Sequence, residues 1–263
     1  MKHKEKIFLF DMDGTLTPPR KQIESKVTRA LRDLSKFGKI GVVTGSDYDY
    51  VMQQMSAAFG IGGVPVDRVI LLPCNGTKRF DSSPSCRFVP TSEVNMIEEL
   101  TQDSYNEILR SSASWQTSIM ASYRDLPYTG TFLQYRGSLL NWCPIGREAG
   151  DQEREAWIEF DQKYKVRECY AEMLESKMEG CRIPATVALG GATSLDIYPN
   201  GWDKTFALKH FPGSEVYFAG DKCMKGGNDW HIFEKLKDSG RSFEVKTTQD
   251  TVNLIHGLIE TCS

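Results

Sequence analysis

Asp11 and Asp13 lie one residue apart in the segment Asp11-Met12-Asp13-Gly14-Thr15. In a turn, that spacing lets both carboxylates reach one small volume. They can share a divalent cation, and one can attack phosphorus while the other handles a proton. Aspartyl-phosphate formation is an established nucleophilic route. Mg2+ at such a site would offset the repulsion between a carboxylate and a phosphate. Gly14 lets the backbone approach the transferring group, and its amide can hydrogen-bond a phosphate oxygen. The competing reading is an acidic turn that caps a helix. The apolar run Ile7-Phe8-Leu9-Phe10 directly before it favours acids delivered at a strand end.

Three distant features share this placement. Thr44 follows the run Lys39-Ile40-Gly41-Val42-Val43 and offers a hydroxyl to a phosphate oxygen. Lys204 stands at an expected helix start and can neutralise phosphate charge. Asp221 follows the strand-like Glu215 to Phe218, with Asn228-Asp229 just beyond. Each alone is ordinary: Thr-Gly is a turn, a lysine is solvated, Gly-Asp is a loop pair. Their joint order is specific.

The elements that must position these residues follow from periodicity. Apolar runs at 7–10, 39–43 and 69–72 read as buried strands, and Gln22 to Phe37 carries Ile23, Val27, Ala30, Leu31 and Leu34 at helical spacing. Strand, helix, strand, helix, strand is the pattern of an α/β parallel sheet. In such sheets chemistry gathers beyond the carboxyl ends of the strands. The middle reads as α+β, with helical stretches at 92–110, 151–165 and 168–178 and hairpins at 131–142 and 186–198. The expected organisation is a Rossmann-like core of 1–82 plus 200–263, with an α+β cap over 83–199.

Composition excludes several classes. With 263 residues, 40% hydrophobic and 25% charged, and a net charge of −3, the chain is neither disordered nor basic enough for general nucleic-acid binding. It has no run of 18 apolar residues, so no membrane span is expected. The N-terminus lacks a signal-peptide pattern, and the seven scattered cysteines suggest neither disulfides nor zinc. A cytoplasmic setting is expected. His3, His210, His231 and His256 form no ligand spacing, and Trp142 and Trp157 are expected in the cap core.

The four features together resemble the haloacid dehalogenase superfamily, with the middle segment as its large α/β cap. By that resemblance Asp11 is the nucleophile and Asp13 the general acid/base. Asp11 and Asp221 hold Mg2+ through side chains and Asp13 through its main-chain carbonyl. Asp229 supports the metal shell and Lys204, while Thr44 and Lys204 meet the transferring phosphate. A closer resemblance is to the eukaryotic-type phosphomannomutases. It is carried by Leu9 to Thr17 with Pro19-Arg20, by Pro144-Ile145-Gly146-Arg147, by Gly201-Trp202-Asp203-Lys204, and by Gly220-Asp221-Lys222 with Gly226-Gly227-Asn228-Asp229.

That resemblance implies conversion of mannose 6-phosphate and mannose 1-phosphate, supplying GDP-mannose synthesis. A hexose 1,6-bisphosphate is the implied activator, and the implied assembly is a homodimer through the cap. Distal phosphate and sugar binding fall to Arg20, Arg136, Arg147, Arg154, Ser194 and Asp196. Arginine suits a phosphate because its fork is bidentate and always charged. Between residues 120 and 154 every cation is an arginine, and residues 83–199 hold 11 Lys+Arg against 17 Asp+Glu. Placed arginines, not bulk charge, must therefore recruit the substrate. There are departures: Thr44 stands where glycine is common, Tyr135-Arg136-Gly137-Ser138 replaces Phe-Arg-Asn-Gly, and Cys74-Asn75 replaces Glu-Asn. They leave open a sugar-phosphate phosphatase on the same scaffold. A catalytically dead phosphate-binding protein is the other alternative, opposed by the intact Asp11, Asp13, Lys204 and Asp221.

Overall fold

A computed structural model describes residues 4–262, so His3 lies outside the described residues. Along the chain, β1 (Lys6–Phe10), α1 (Ser25–Leu34), β2 (Lys39–Val43), α2 (Tyr48–Met55), β3 (Val69–Leu72), β4 (Lys78–Ser82) and β5 (Phe88–Glu93) come first. Then follow α3 (Met96–Leu100), α4 (Gln102–Ser122), β6 (Leu133–Tyr135), β7 (Leu140–Trp142), α5 (Asp151–Tyr164), α6 (Val166–Gly180), β8 (Ala185–Gly190) and β9 (Ser194–Pro199). The chain closes with β10 (Glu215–Gly220), α7 (Trp230–Lys237), β11 (Ser242–Glu244) and α8 (Thr248–Cys262). It divides into one unit of Met1–Glu93 with Trp202–Ser263 and a second of Val94–Gly201.

The first unit is built on a seven-stranded sheet ordered β11-β10-β1-β2-β3-β4-β5. Strands β11 to β3 run parallel, and β4 and β5 add an antiparallel edge. β1 is central, so its apolar residues are buried on both faces, as a continuous apolar run requires. Phe8 and Phe10 pack with α1 and α8 residues such as Leu31 and Ile255. Ile7 and Leu9 pack on the opposite side with Phe211, Ile232 and Leu236. Each such fully buried side chain contributes roughly 1.5–3 kcal/mol, which anchors the end of β1 firmly. The chain steps from β1 outward to β2 and β3 on one side, and β10 and β11 flank it on the other. β1 therefore borders the point where strand order reverses, the usual ligand crevice of an open α/β sheet.

The division at Glu93 and Val94 lies further along than the expected boundary at 82, and helix begins at Met96 rather than 92. The reason is β5, which pairs antiparallel with β4 and so extends the first unit's sheet. At the other end the division lies between Gly201 and Trp202, close to the expected 199/200. The segment opened by Asp203 is a 3-10 helix, Lys204–His210, with the Asp203 carboxylate accepting from the Thr205 amide at 2.7 Å.

The second unit carries a four-stranded antiparallel sheet, β6-β7-β9-β8, with α6 packed against β8. Leu195 and Ile197 are buried in it, as are Trp142 and Trp157. Among the described residues the cysteines are free thiols, and no helix is long and apolar enough to cross a membrane.

Candidate active site

Asp11 is the first residue past β1, and its amide donates to the Ala219 carbonyl of β10 at 2.9 Å. The chain then closes a tight turn: the Leu16 and Thr17 amides return to the Met12 carbonyl at 2.9 and 3.0 Å. From α8, the Thr251 hydroxyl donates to the Thr15 carbonyl at 2.7 Å, fixing the turn from behind. Gly14 has φ +89°, and a Cβ there would collide with the Asp221 carboxylate. Only glycine satisfies both the backbone angle and that approach.

Strand ends bring the other acids in. Asp221 follows β10 directly, beside Asp11. Lys204 is fully buried, and its ammonium donates to Asp11 Oδ1 and, at 2.6 Å, to Asp229 Oδ1. The Lys222 amide donates to Asp229 Oδ2 at 3.0 Å. Asp11, Asp221 and Asp229 each place a carboxylate oxygen within 4.8 Å of the others.

Three carboxylates around one ammonium form an electrostatically unfinished site. Burial pushes the Asp11 carboxyl up to about 7; Lys204 opposes this, and Asp229 and Asp221 add to it. Burial also raises Asp221. Lys204 keeps its proton despite burial because Asp11 and Asp229 hold it above the usual range. A hard divalent cation with oxygen ligands would relieve this repulsion. The buried Asn228 Oδ1, which makes no hydrogen bond among the described residues, adds a further oxygen in the same segment. The donor set therefore fits Mg2+. Sequence reasoning assigned the side-chain ligands to Asp11 and Asp221; the structure adds Asp229 to that cluster, while the Asp13 carboxylate points to other partners.

Those partners converge on one oxygen. Asp13 Oδ1 accepts from the Arg20 amide at 3.0 Å, from Gln54 Nε2 at 3.2 Å and from the Tyr50 hydroxyl at 3.5 Å. Gln54 is buried, and its Oε1 accepts from the Thr17 hydroxyl at 2.8 Å, which orients the amide nitrogen toward Asp13. Gln54 and Tyr50, both on α2, had no sequence signal, because nothing in a helix pattern reveals which polar residue turns inward. Gln54→Met, similar in size but unable to donate, is expected to lower kcat about 10- to 100-fold, the loss of one hydrogen bond to a charged group. KM should change little in the same steady-state measurement.

Thr44 is buried at the end of β2, and its Oγ1 accepts from the Ser46 amide at 3.2 Å. Having used the oxygen as acceptor, the hydroxyl keeps its hydrogen for an anion. The Thr44 carbonyl accepts from the Asn75 amide at 2.7 Å, and Asn75 Nδ2 donates to the Trp202 carbonyl at 3.3 Å. Asn75, at φ 63°, thus ties the Thr44 loop to the start of the Lys204 segment.

The remaining expected residues form a second cluster, in the Val94–Gly201 unit. Gln134, Asn141 and Asp196 are paired neighbours across β6, β7 and β9, hence on one sheet face. Gln134 Oε1 accepts from Arg136 Nε and Nη2 at 3.1 and 3.0 Å. Asn141 Oδ1 accepts from Arg147 Nη1 at 2.8 Å, and its amide donates to Asp196 Oδ1 at 2.7 Å. Arg154 donates to Thr193 Oγ1 at 2.7 Å and to the Arg147 carbonyl at 3.2 Å. Ser194, two residues before Asp196 on β9, donates to the Gly190 carbonyl at 2.7 Å. Arg20 alone of the expected set lies in the first unit, with an exposed side chain beside Asp13. Gln134 was missed; it lies on β6 two residues before Arg136, which follows the end of that strand.

The model of the eukaryotic phosphomannomutase family matches residues 27–261. Phosphomannomutase 1 of Homo sapiens is 34% identical over 256 residues, covering 95% of this chain and 91% of that protein. The phosphomannomutase of Nicotiana benthamiana is 32% identical over 248 residues, covering 94% and 91%. Among solved structures, IMP-bound Plasmodium falciparum IMP-nucleotidase superposes with a TM-score of 0.69 at 14% identity, covering 98% of this chain and 68% of that one. A haloacid dehalogenase-like hydrolase from Bacteroides thetaiotaomicron gives 0.54 at 16%, covering 97% and 100%. At such identities these structures speak for the fold alone, a haloacid dehalogenase-like core with a cap.

Proposed function

This chain belongs to the eukaryotic phosphomannomutase family of phosphosugar mutases, and on that premise we propose that it interconverts mannose 6-phosphate and mannose 1-phosphate through a phosphorylated Asp11 and a hexose bisphosphate. The observation that carries this reading is the cluster of Arg136, Arg147 and Arg154 in the second unit. Gln134, Asn141 and Thr193 accept hydrogen bonds from Arg136, Arg147 and Arg154 and so orient the three guanidinium groups. A phosphatase need grip no second phosphate; a mutase must, in two orientations of the sugar.

In the proposed cycle, Asp11 attacks a phosphorus of hexose 1,6-bisphosphate, and the sugar oxygen leaves with the proton of Asp13. Asp13 then takes the proton of the accepting hydroxyl of a bound monophosphate. That oxygen attacks the phosphoaspartate, and the Asp11 carboxylate leaves. Lys204 and the Thr44 hydroxyl neutralise phosphate oxygens, while Arg136, Arg147 and Arg154 hold the phosphate that does not react. Mg2+, held by Asp11, Asp221 and the Asp13 carbonyl with Asp229 in support, would supply charge neutralisation at the transferring group. The product mannose 1-phosphate would feed GDP-mannose synthesis.

The test starts from mannose 1-phosphate with Mg2+, with and without glucose 1,6-bisphosphate. Isomer that depends on the bisphosphate supports the mutase; free phosphate as the main product supports a phosphatase instead. In the same assay Arg147→Ala is expected to raise KM for both monophosphates about 10- to 100-fold. Hydrolysis of a small aryl phosphate, which has no second phosphate to grip, should stay largely intact. Equal loss of both activities would count against the arginine assignment.

A further inference from the structure

A buried ion pair in the second unit has no place in the chemistry above. Asp161 and Arg167 are joined at 2.7 Å with side chains only 9% and 11% exposed. Asp161 lies in the last turn of α5 and Arg167 in the first turn of α6, and the Asp161 carboxylate also accepts from the Arg167 amide at 2.8 Å. Burying two charges seldom stabilises more than well-packed apolar residues would. The pair therefore calls for a structural task that apolar residues cannot do. The far end of the guanidinium shows what it is: Arg167 Nη1 donates to the Gly191 carbonyl at 3.3 Å and to the Ser194 carbonyl at 3.2 Å.

Those carbonyls flank the turn between β8 and β9. Inside that turn, Thr193 Oγ1 accepts from Arg154 Nη1 at 2.7 Å and from the Cys143 thiol at 3.7 Å. Ser194, the first residue of β9, follows Thr193 directly. A single guanidinium thus clamps the segment that carries Arg154's partner and one expected sugar contact. We propose that Arg167, aimed by Asp161, is a positioning residue for the sugar-phosphate site: it fixes the Gly191–Ser194 turn and, through Thr193, the Arg154 guanidinium. This rests on the reading of Arg154 as a phosphate ligand. Neither Arg167 nor Asp161 is required to touch substrate.

Arg167→Lys keeps a cation for Asp161 but cannot also reach both turn carbonyls. It is expected to raise KM for mannose 1-phosphate about 10-fold, the effect of a loosened charge-assisted contact. kcat and aryl-phosphate hydrolysis should change less than about 3-fold, well below the effect of one such contact. Thr193→Val leaves the ion pair untouched and should raise KM in the same way, so the outcome does not depend on how well Arg167→Lys folds. The decisive comparison is with Arg154→Met: because the effects act through that guanidinium, Arg167→Lys in the Arg154→Met background should add nothing further. Additive KM effects, or an unchanged KM in both Arg167→Lys and Thr193→Val, would reduce the pair to a packing element and overturn the proposal. An unchanged KM in Arg154→Met itself would instead remove the reading of Arg154 on which it rests.

Discussion

Asp11→Asn is expected to abolish turnover and to leave the metal-free protein more stable at pH 8. The first half follows from chemistry. An amide cannot attack phosphorus, so no phosphoenzyme forms, and loss of a nucleophile costs on the order of 10^4-fold or more in kcat. The second half follows from the crowding of Asp11, Asp221 and Asp229 about Lys204. Burial raises the folded-state Asp11 from 3.8 to about 7. A carboxyl whose folded value is raised stabilises the fold only while protonated. That contribution is full below about pH 4 and is lost as pH rises through about 7. At pH 8, with a chelator present, the wild type therefore carries an ionised Asp11 at a cost that asparagine removes. The variant should gain of order 1 kcal/mol or more there, and the gain should shrink toward pH 5. Denaturant unfolding at a series of pH values reads this directly. A variant less stable than wild type at pH 8 would mean that the Lys204 pairing outweighs the burial.

What made this site legible was its place after buried strands. Asp11, Thr44 and Asp221 each follow an apolar run, and β1, β2 and β10 are adjacent in the sheet. A central parallel strand must be apolar on both faces, so the first polar residue after it stands out. β5 shows the converse. Phe88–Glu93 is an edge strand, almost wholly exposed, and its Phe-Val-Pro-Thr-Ser-Glu sequence has no alternation to read. The domain division was accordingly expected too early. Gln54 and the Asp161–Arg167 pair were hidden for another reason. Each is one polar residue on a helix, and its partner lies on an element whose approach only the fold decides. The arginine cluster fell between these cases: the residue types were conspicuous, but Gln134 and Asn141, which accept from Arg136 and Arg147, are brought side by side by cross-strand register.

Lys204→Met is expected to cost both activity and about 3–5 kcal/mol of stability, the usual penalty for leaving buried charge uncompensated. Methionine matches the length and apolar stem of lysine, so packing is nearly conserved and the change isolates the ammonium. What remains is Asp11 and the fully buried Asp229 without their shared cation, with Asp221 close by. The contrast with Asp11→Asn is the informative part. Both substitutions remove one charge from the same cluster, yet one relieves repulsion and the other exposes it, so their effects on unfolding should have opposite signs. The double variant should then be less destabilised than Lys204→Met alone, because asparagine removes one of the orphaned charges; the groups touch, so additivity is not expected. Mg2+ supplies a second readout that needs no turnover. A cation bound by the folded carboxylates stabilises by RT ln(1 + [L]/Kd), so millimolar Mg2+ should raise the unfolding midpoint of Lys204→Met more than that of Asp11→Asn. Equal Mg2+ shifts in the two variants would show that the ion is held elsewhere than at Asp11, Asp221 and Asp229.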